Sequence, residues 1–224
     1  MADLSGIGLT NFIWFISVSI LFLLFNYWIT MSNTALVGMF CGITGIIQWG
    51  LNSAATQNAL VCGKSNPGIA FLYTLIPWVL IVLVGNIFLF AFPGWVRVFA
   101  NTFGMWISYK ALSTPNIRDN SSTTTSTDAQ YIKIFDEIKQ NPQIIINEID
   151  IIGKEETPEE INKIFVSYQS VYPTIFGNNK DDIIKIIKFK NKIGYIIWNI
   201  LFGLIAVMVS TNSLLNSGCS ASII

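Results

Sequence analysis

Charged residues are missing from long parts of this chain, and no other feature limits its fold as strongly. Residues 1–110 contain three basic residues and one acidic residue, and no charged residue follows Lys192. The other ten basic and twelve acidic residues lie between Arg118 and Lys192. Only 12% of all residues are charged, whereas a typical soluble domain has about 25%. The sequence therefore predicts a membrane protein with one polar excursion.

Four apolar segments are candidates for membrane-spanning helices: residues 11–30, 35–51, 69–92 and 193–214. Each has roughly the 17–25 residues that cross the hydrocarbon core of a bilayer. A tight turn at Met31–Thr34 would make the first two an antiparallel hairpin, and a polar loop is expected at residues 52–68. Pro77 should kink the third segment because proline removes a backbone donor.

The segment Trp95–Leu112 allows two interpretations. It carries Arg97 and Asn101 among aromatic and aliphatic residues at helical spacing, which favours a helix lying in the membrane interface. The alternative is that it crosses the bilayer. The predicted fold is therefore all-α: a multi-pass transmembrane bundle of four spans plus an interfacial helix, or of five spans, with a small helical extramembrane domain.

The polar excursion is predicted to be helical and continuous with the last span. Thr127–Gln130 resembles a capping box, Thr157–Glu160 has the composition of a helix start, and a helix over Asp181–Lys192 should run directly into the final span. The expected parts are transmembrane and interfacial helices (1–112), a polar linker (113–127), a small helical soluble domain (128–192), the final transmembrane helix (193–214) and a polar tail (215–224).

Four lysines set the expected orientation in the membrane: Lys185, Lys188, Lys190 and Lys192. They lie immediately before the last span, and basic residues beside a span stay on the cytoplasmic side. We therefore expect residues 111–192 to face the cytosol and the C-terminal tail to lie on the opposite side.

Small and polar residues inside the spans are candidates for helix packing. Gly38 and Gly42 form a small-xxx-small pair, which lets another helix approach closely. The alternative is that these glycines simply reflect the frequency of glycine in membrane helices. Asn86 is predicted to form a hydrogen bond between helices.

Three cysteines have different expected roles. Cys41 lies within a span and is expected to be a buried packing residue. Cys62 and Cys219 lie in polar segments beside spans, and a four-span topology places both on the non-cytosolic side, where a disulfide can persist. Two free thiols are the alternative.

Composition excludes several classes of function. The chain has no histidine, which excludes histidine metal sites, His-based triads and histidine pH switches. Formal net charge is zero, so no overall charge attracts nucleic acid. The sequence also lacks paired intramembrane carboxylates, a Cys-x-x-Cys motif and a complete phosphate-binding loop. We therefore expect no enzymatic activity, cofactor, metal, nucleic-acid partner or small-molecule substrate.

Two short motifs follow the third apolar segment: Phe92-Pro93-Gly94-Trp95 and Asn101-Thr102-Phe103-Gly104. They resemble a pattern in membrane proteins of large double-stranded DNA viruses with an internal membrane, namely chloroviruses, marseilleviruses and mimivirus relatives. The ending Ser210–Cys219 is similar to the close of those proteins, whereas Val96–Val98 departs from the pattern. The resemblance implies a component of the virion inner membrane, associated with minor capsid proteins beneath an icosahedral shell. It implies no catalytic residue.

The leading hypothesis is a structural membrane protein of a virion inner membrane that anchors or links the membrane to the capsid shell. Its partners would be the lipid bilayer and capsid or other minor capsid proteins, and its membrane would derive from the host endoplasmic reticulum during assembly. A small channel or carrier is one alternative, with Asn26, Gln48, Asn86 and Asn199 along a path. A membrane-bound viral assembly or fusion factor is another.

Overall fold

The structure is a computed structural model that describes residues 4–26, 33–111, 143–149, 162–163, 165–166 and 173–217. About 90% of these residues are helical, and none of them forms a strand. The predicted linker, most of the predicted soluble domain and Cys219 lie outside the described residues.

The described helices overlap the predicted segments, although Asn33 and Thr34 of the predicted turn Met31–Thr34 belong to a helix and the rest of that turn lies outside the described residues. They are α1 (Leu4–Asn26), α2 (Asn33–Ala55), α3 (Pro67–Pro77), α4 (Val84–Ala91), α5 (Val96–Phe99), α6 (Met105–Ala111), α7 (Gln143–Glu148) and α8 (Pro173–Asn216). Two π-helical segments, Trp78–Leu83 and Ala100–Gly104, connect α3 to α4 and α5 to α6. A 3₁₀ turn at Pro93–Trp95 precedes α5.

In the part of the chain that the structure describes, four helical segments are long and apolar enough to cross a membrane, which confirms the predicted all-α, multi-pass bundle. They cover Gly6–Phe25, Ala35–Ala55, Pro67–Ala91 and Asp181–Asn216. The segment Trp95–Leu112 is not among them, and its predicted location in the membrane interface stays a prediction. As expected, the helix that begins in the polar excursion continues without a break into the last span.

The third span shows how proline is accommodated in this bundle. Asn66 caps its start, because the side-chain Oδ1 accepts the backbone N–H of Ile69 at 3.2 Å, and Pro67 occupies the first turn. Directly after Pro77 the backbone changes to a π-helix over Trp78–Leu83. Such wide turns absorb a local disruption of the α-helical hydrogen bonds without ending the helix.

The described chain divides into two compact units. The first contains residues up to Phe92 together with those from Tyr195 onward, and the second is Pro93–Gly194. The segment Pro93–Ala111, which the sequence groups with the spans, therefore belongs to the same unit as the polar excursion.

The first unit has apolar side chains outside and polar side chains inside. Leu24 is 65% exposed and Phe90 is 89% exposed, whereas Asn11, Gln48 and Asn52 are buried. A soluble protein shows the opposite arrangement. Lipid solvates apolar side chains well but cannot satisfy amide groups, so this distribution is typical of a membrane bundle.

A short loop closes one end of the first unit. Residues 56–66 separate α2 from α3, so the loop is shorter than the predicted 52–68. The carbonyl of Asn58 accepts the backbone N–H groups of Val61, Cys62 and Gly63 at 2.9, 3.1 and 2.9 Å. Gly63 has φ +69°, a backbone conformation in which glycine carries no steric cost. Val61 packs with Leu214 at this end of the bundle.

Candidate functional site

Six buried polar side chains meet inside the first unit and connect all four spans. We call this set the span network: Asn11 of α1, Gln48 and Asn52 of α2, Thr74 of α3, and Ser210 and Thr211 of α8. All six residues are at most 5% exposed. Helical periodicity places each of them on the inward face of its own helix, opposite the lipid-facing side chains.

Asn52 lies at the centre of the span network. Its Oδ1 accepts hydrogen bonds from Asn11 Nδ2 at 3.1 Å and Gln48 Nε2 at 3.0 Å. Its Nδ2 donates to Thr74 Oγ1 at 2.9 Å and to Ser210 Oγ at 2.7 Å. One amide group therefore contacts side chains from each of the four spans.

Thr211 closes the span network from the last helix. Its Oγ1 accepts from Asn11 Nδ2 at 2.8 Å and from Gln48 Nε2 at 3.1 Å. Both N–H groups of Asn11 and both N–H groups of Gln48 are thus used inside the bundle. Hydrogen bonds between membrane helices contribute on average about 0.6 kcal/mol each. The network therefore stabilises the bundle moderately, and it also specifies which helices pair.

A second polar contact joins the third and fourth spans elsewhere in the first unit. Asn86 Nδ2 donates to Asn199 Oδ1 at 2.7 Å, and Cys41 of α2 lies 3.6 Å from the same oxygen. Asn199 Nδ2 donates to the Tyr195 carbonyl one turn earlier. The structure thus places Asn86, the predicted helix-pairing residue, in a hydrogen bond between two spans.

The side chains of the span network are chemically neutral. Amides and hydroxyls are weak nucleophiles, and catalysis would need an adjacent base to activate them. The described residues contain no group of three or more His, Cys, Asp or Glu side chains that could hold a metal ion. The arrangement can hold four helices in a fixed register.

The glycines that permit close helix contact differ from the predicted pair. Gly38 and Gly42 are exposed, and a methyl group added to either would meet no atom within 4 Å. The predicted close approach at these two glycines is therefore not seen within the described chain. Close approaches occur instead at Gly85, where an added methyl would lie 2.6 Å from Phe202, and at Gly203, 2.6 Å from Phe15.

The second unit contains a different polar contact, built around one of the four orientation lysines. Lys190 is 2% exposed, and its Nζ donates to Asn101 Oδ1 at 2.6 Å and to Asn147 Oδ1 at 3.0 Å. Among the described residues, no carboxylate lies within ion-pair distance of this ammonium group. Lys185, by contrast, is exposed and pairs with Asp182 at 3.0 Å.

Backbones also approach closely in the second unit. A methyl group on Gly104 would overlap the Lys190 carbonyl oxygen, and one on Gly194 would lie 2.8 Å from the Val96 carbonyl oxygen. Gly104 thus lies beside Lys190, whereas the earlier Val96 lies beside the later Gly194. Residues 96–104 therefore run antiparallel to residues 190–194. Asn101 and Gly104, both in the second resemblance motif, thus hold these two segments together.

The cysteines are in two states. Cys41 is free and half-buried, whereas Cys62 is disulfide-bonded. Cys219 lies outside the described residues, so the Cys62–Cys219 bond stays a prediction.

Of the other orientation lysines, Lys188 and Lys192 are half-buried.

The span network contains residues that sequence reasoning did not identify. The sequence predicts Asn52 in the polar loop, whereas α2 continues to Ala55 and buries this side chain. Thr74, Ser210 and Thr211 gave no distinct signal, because threonine and serine are common in membrane helices and usually bond their own backbone. The available signal was spacing: Gln48 and Asn52 are four residues apart, so a helix that continues through both places the two amides on one face.

Comparisons with protein-family models, with curated proteins and with solved structures find no match to this chain.

Proposed function

We propose that this protein is a structural membrane protein of a virion inner membrane, where it anchors or links the membrane to the capsid shell. Its spans hold it in a bilayer derived from the host endoplasmic reticulum, and its polar excursion contacts capsid or other minor capsid proteins. The four apolar helices support the membrane location. The viral setting rests on the sequence resemblance.

The observation that carries the structural role is the pairing inside the span network. Its amide N–H groups bond to oxygens of neighbouring spans instead of facing an open path. A translocation pathway needs polar groups that can exchange partners with a passing solute. Fixed pairs that join all four helices favour an anchor with one conformation.

The motif residues of the second unit add support of the same kind. Asn101 bonds Lys190, and Gly104 lets the two backbones meet. Two residues of the second motif therefore have packing roles. Such roles fit a protein whose task is to hold a shape rather than to bind a substrate.

The alternative of a channel or carrier has less support. Of the side chains expected along its path, Gln48 belongs to the span network, whereas Asn86 and Asn199 bond each other. The side chain of Asn26 lies outside the described set. These residues therefore fall into separate hydrogen-bonded groups.

Two measurements test the proposal. Quantitative mass spectrometry of purified virions should find the chain in many copies per particle, still bound to the membrane after the outer shell is removed. Absence from virions, with the chain confined to infected-cell membranes, would contradict the proposal and favour an assembly factor. Proteoliposomes that carry the purified protein should show the same ion and solute flux as empty liposomes, whereas saturable flux would favour the carrier.

A further inference from the structure

A small cavity borders the span network between α1 and α2. Its volume is about 10 Å³, and its lining comprises Asn11, Phe15, Val18, Thr44, Ile47, Gln48 and Leu51. Three of these residues are polar, and all three are buried. The cavity thus has both apolar and polar walls.

Two amide oxygens at this cavity have unused bonding capacity. Asn11 and Gln48 direct both of their N–H groups to Asn52 and Thr211. Within the described residues, no donor reaches Asn11 Oδ1 or Gln48 Oε1. In the described chain, the fully enclosed side-chain atoms without a partner are Ser19 Oγ, Ser53 Oγ, Trp78 Nε1 and Asn191 Oδ1, and neither of the two amide oxygens is among them. Both oxygens therefore border accessible space.

Rotating either amide would not remove the need for a donor. A flipped Asn11 or Gln48 would turn an oxygen toward Asn52 Oδ1 and lose a bond of the span network. The hydrogen bonds of the span network therefore determine that the oxygen of each amide, and not its nitrogen, is left to bond a molecule in the cavity. An acceptor without a donor in a membrane interior is costly, because lipid offers no hydrogen bond.

We propose that one water molecule is a resident ligand of this cavity and donates its two hydrogens to Asn11 Oδ1 and Gln48 Oε1. A cavity of roughly 10–15 Å³ holds one water molecule, provided that two to four polar partners surround it. Thr44 Oγ1 also lines the cavity, but its hydrogen is directed to the Phe40 carbonyl at 2.6 Å, so it adds no donor, and the two amide oxygens are the partners of the water.

The chemistry of the site favours water over a cation. The cavity offers three polar side chains, none of them a carboxylate, and four apolar ones. Biological cations such as Ca²⁺ take six to eight oxygen ligands, commonly including carboxylates. Water supplies the missing donors and adds no charge to the hydrocarbon region.

Water-edited solid-state NMR of the whole protein in lipid vesicles tests this site. Magnetisation should pass from water to the side-chain amides of Asn11 and Gln48. Asn199 is the internal control, because its buried amide bonds Asn86 and Tyr195 and does not line the cavity. No transfer to Asn11 and Gln48, or equal transfer to Asn199, would overturn the proposal.

A variant that fills the cavity provides the second arm. Val18→Leu adds one methylene to the lining of the cavity and should abolish water transfer to Gln48, whereas Val79→Leu at an exposed position should preserve it. Retention of the transfer in Val18→Leu would overturn the site. Replacing Na⁺ by choline should leave the Gln48 signal unchanged, and a shifted signal would identify a cation instead. If Val18→Leu fails to fold, the transfer measured in the unmodified protein remains decisive.

Discussion

At the scale of single residues, the side chain of Asn52 forms more hydrogen bonds between spans than any other side chain of the span network. Asn52 is fully buried and forms four side-chain hydrogen bonds, three of them to other spans. Its partners have few substitutes, because the hydrocarbon around the bundle contains no donors or acceptors. Loss of this one side chain therefore affects all four helices.

We expect Asn52→Leu to destabilise the bundle by about 2 kcal/mol, from three interhelical bonds of roughly 0.6 kcal/mol each. The free energy of unfolding in bicelles, measured by steric trapping, checks this value. Asn212→Leu is the matched control, because Asn212 is exposed and bonds only Asn216 one turn later among the described residues. Equal effects in the two variants would mean that the span network does not contribute to stability.

Glycine substitutions should separate close helix contacts from lipid-facing positions. Gly104→Ala should destabilise the second unit by roughly 1–3 kcal/mol, since the added methyl meets the backbone at Lys190. Gly42→Ala should be neutral or stabilise by up to about 1 kcal/mol, because alanine favours a helix and nothing lies nearby. Thermal unfolding of the two variants gives the signs, and a loss of stability in Gly42→Ala would indicate a helix contact at that face.

At the scale of helices, Lys190 connects three elements of the second unit. Asn101 lies in the π-helical segment, Asn147 lies in α7, and Lys190 itself belongs to α8. The two neutral amides solvate the charge of the Lys190 ammonium group. Removal of either amide leaves this buried cation with one hydrogen bond fewer to offset the loss of water.

We expect Asn101→Leu to destabilise the second unit by about 1.5–3 kcal/mol, because it removes one of the two bonds to the buried ammonium group. Hydrogen–deuterium exchange of residues 96–104 should become faster, whereas Thr102→Val at an exposed neighbouring position should leave it unchanged. The double variant Asn101→Leu/Lys190→Met should recover part of the loss, because it removes the unpaired charge as well. Additive losses in the double variant would contradict this explanation.

The helical elements are more predictable from sequence than their contacts. Spans are determined by local hydropathy, so the segment ending near Ala91 and the continuous α8 could be foreseen. Contacts depend on which residues of distant segments meet, and this information is absent from local patterns. Asn86 was identified because an isolated amide in hydrocarbon needs a partner, but neither its pairing with Asn199 nor the role of Asn52 follows from one segment.

At the scale of the whole molecule, the disulfide-bonded Cys62 lies in the loop at residues 56–66, close to the last span. It is next to Val61, which packs with Leu214 near the end of that span. A bond from Cys62 to Cys219 would tie the C-terminal tail to the loop. In an unfolded soluble chain such a closure contributes roughly 4–5 kcal/mol, and spans already inserted in a bilayer should reduce that gain.

We expect non-reducing peptide mapping to recover one peptide pair linked through Cys62 and Cys219. Cys41 is the internal control, since it is free and should react with an alkylating reagent after denaturation without reduction. Alkylation of all three cysteines without prior reduction would contradict the bond and weaken the four-span topology that predicts it.

The most direct test of the four-span topology uses two single-cysteine variants, Lys64→Cys and Arg118→Cys, in a background where the natural cysteines are replaced by serine. They flank the third span and the segment Trp95–Leu112. Labelling of intact microsomes with a membrane-impermeant maleimide should modify position 118 from the cytosolic side, and position 64 only after the membrane is permeabilised. Modification of both positions from the same side would mean that Trp95–Leu112 crosses the bilayer, and would contradict four spans with a cytosolic excursion.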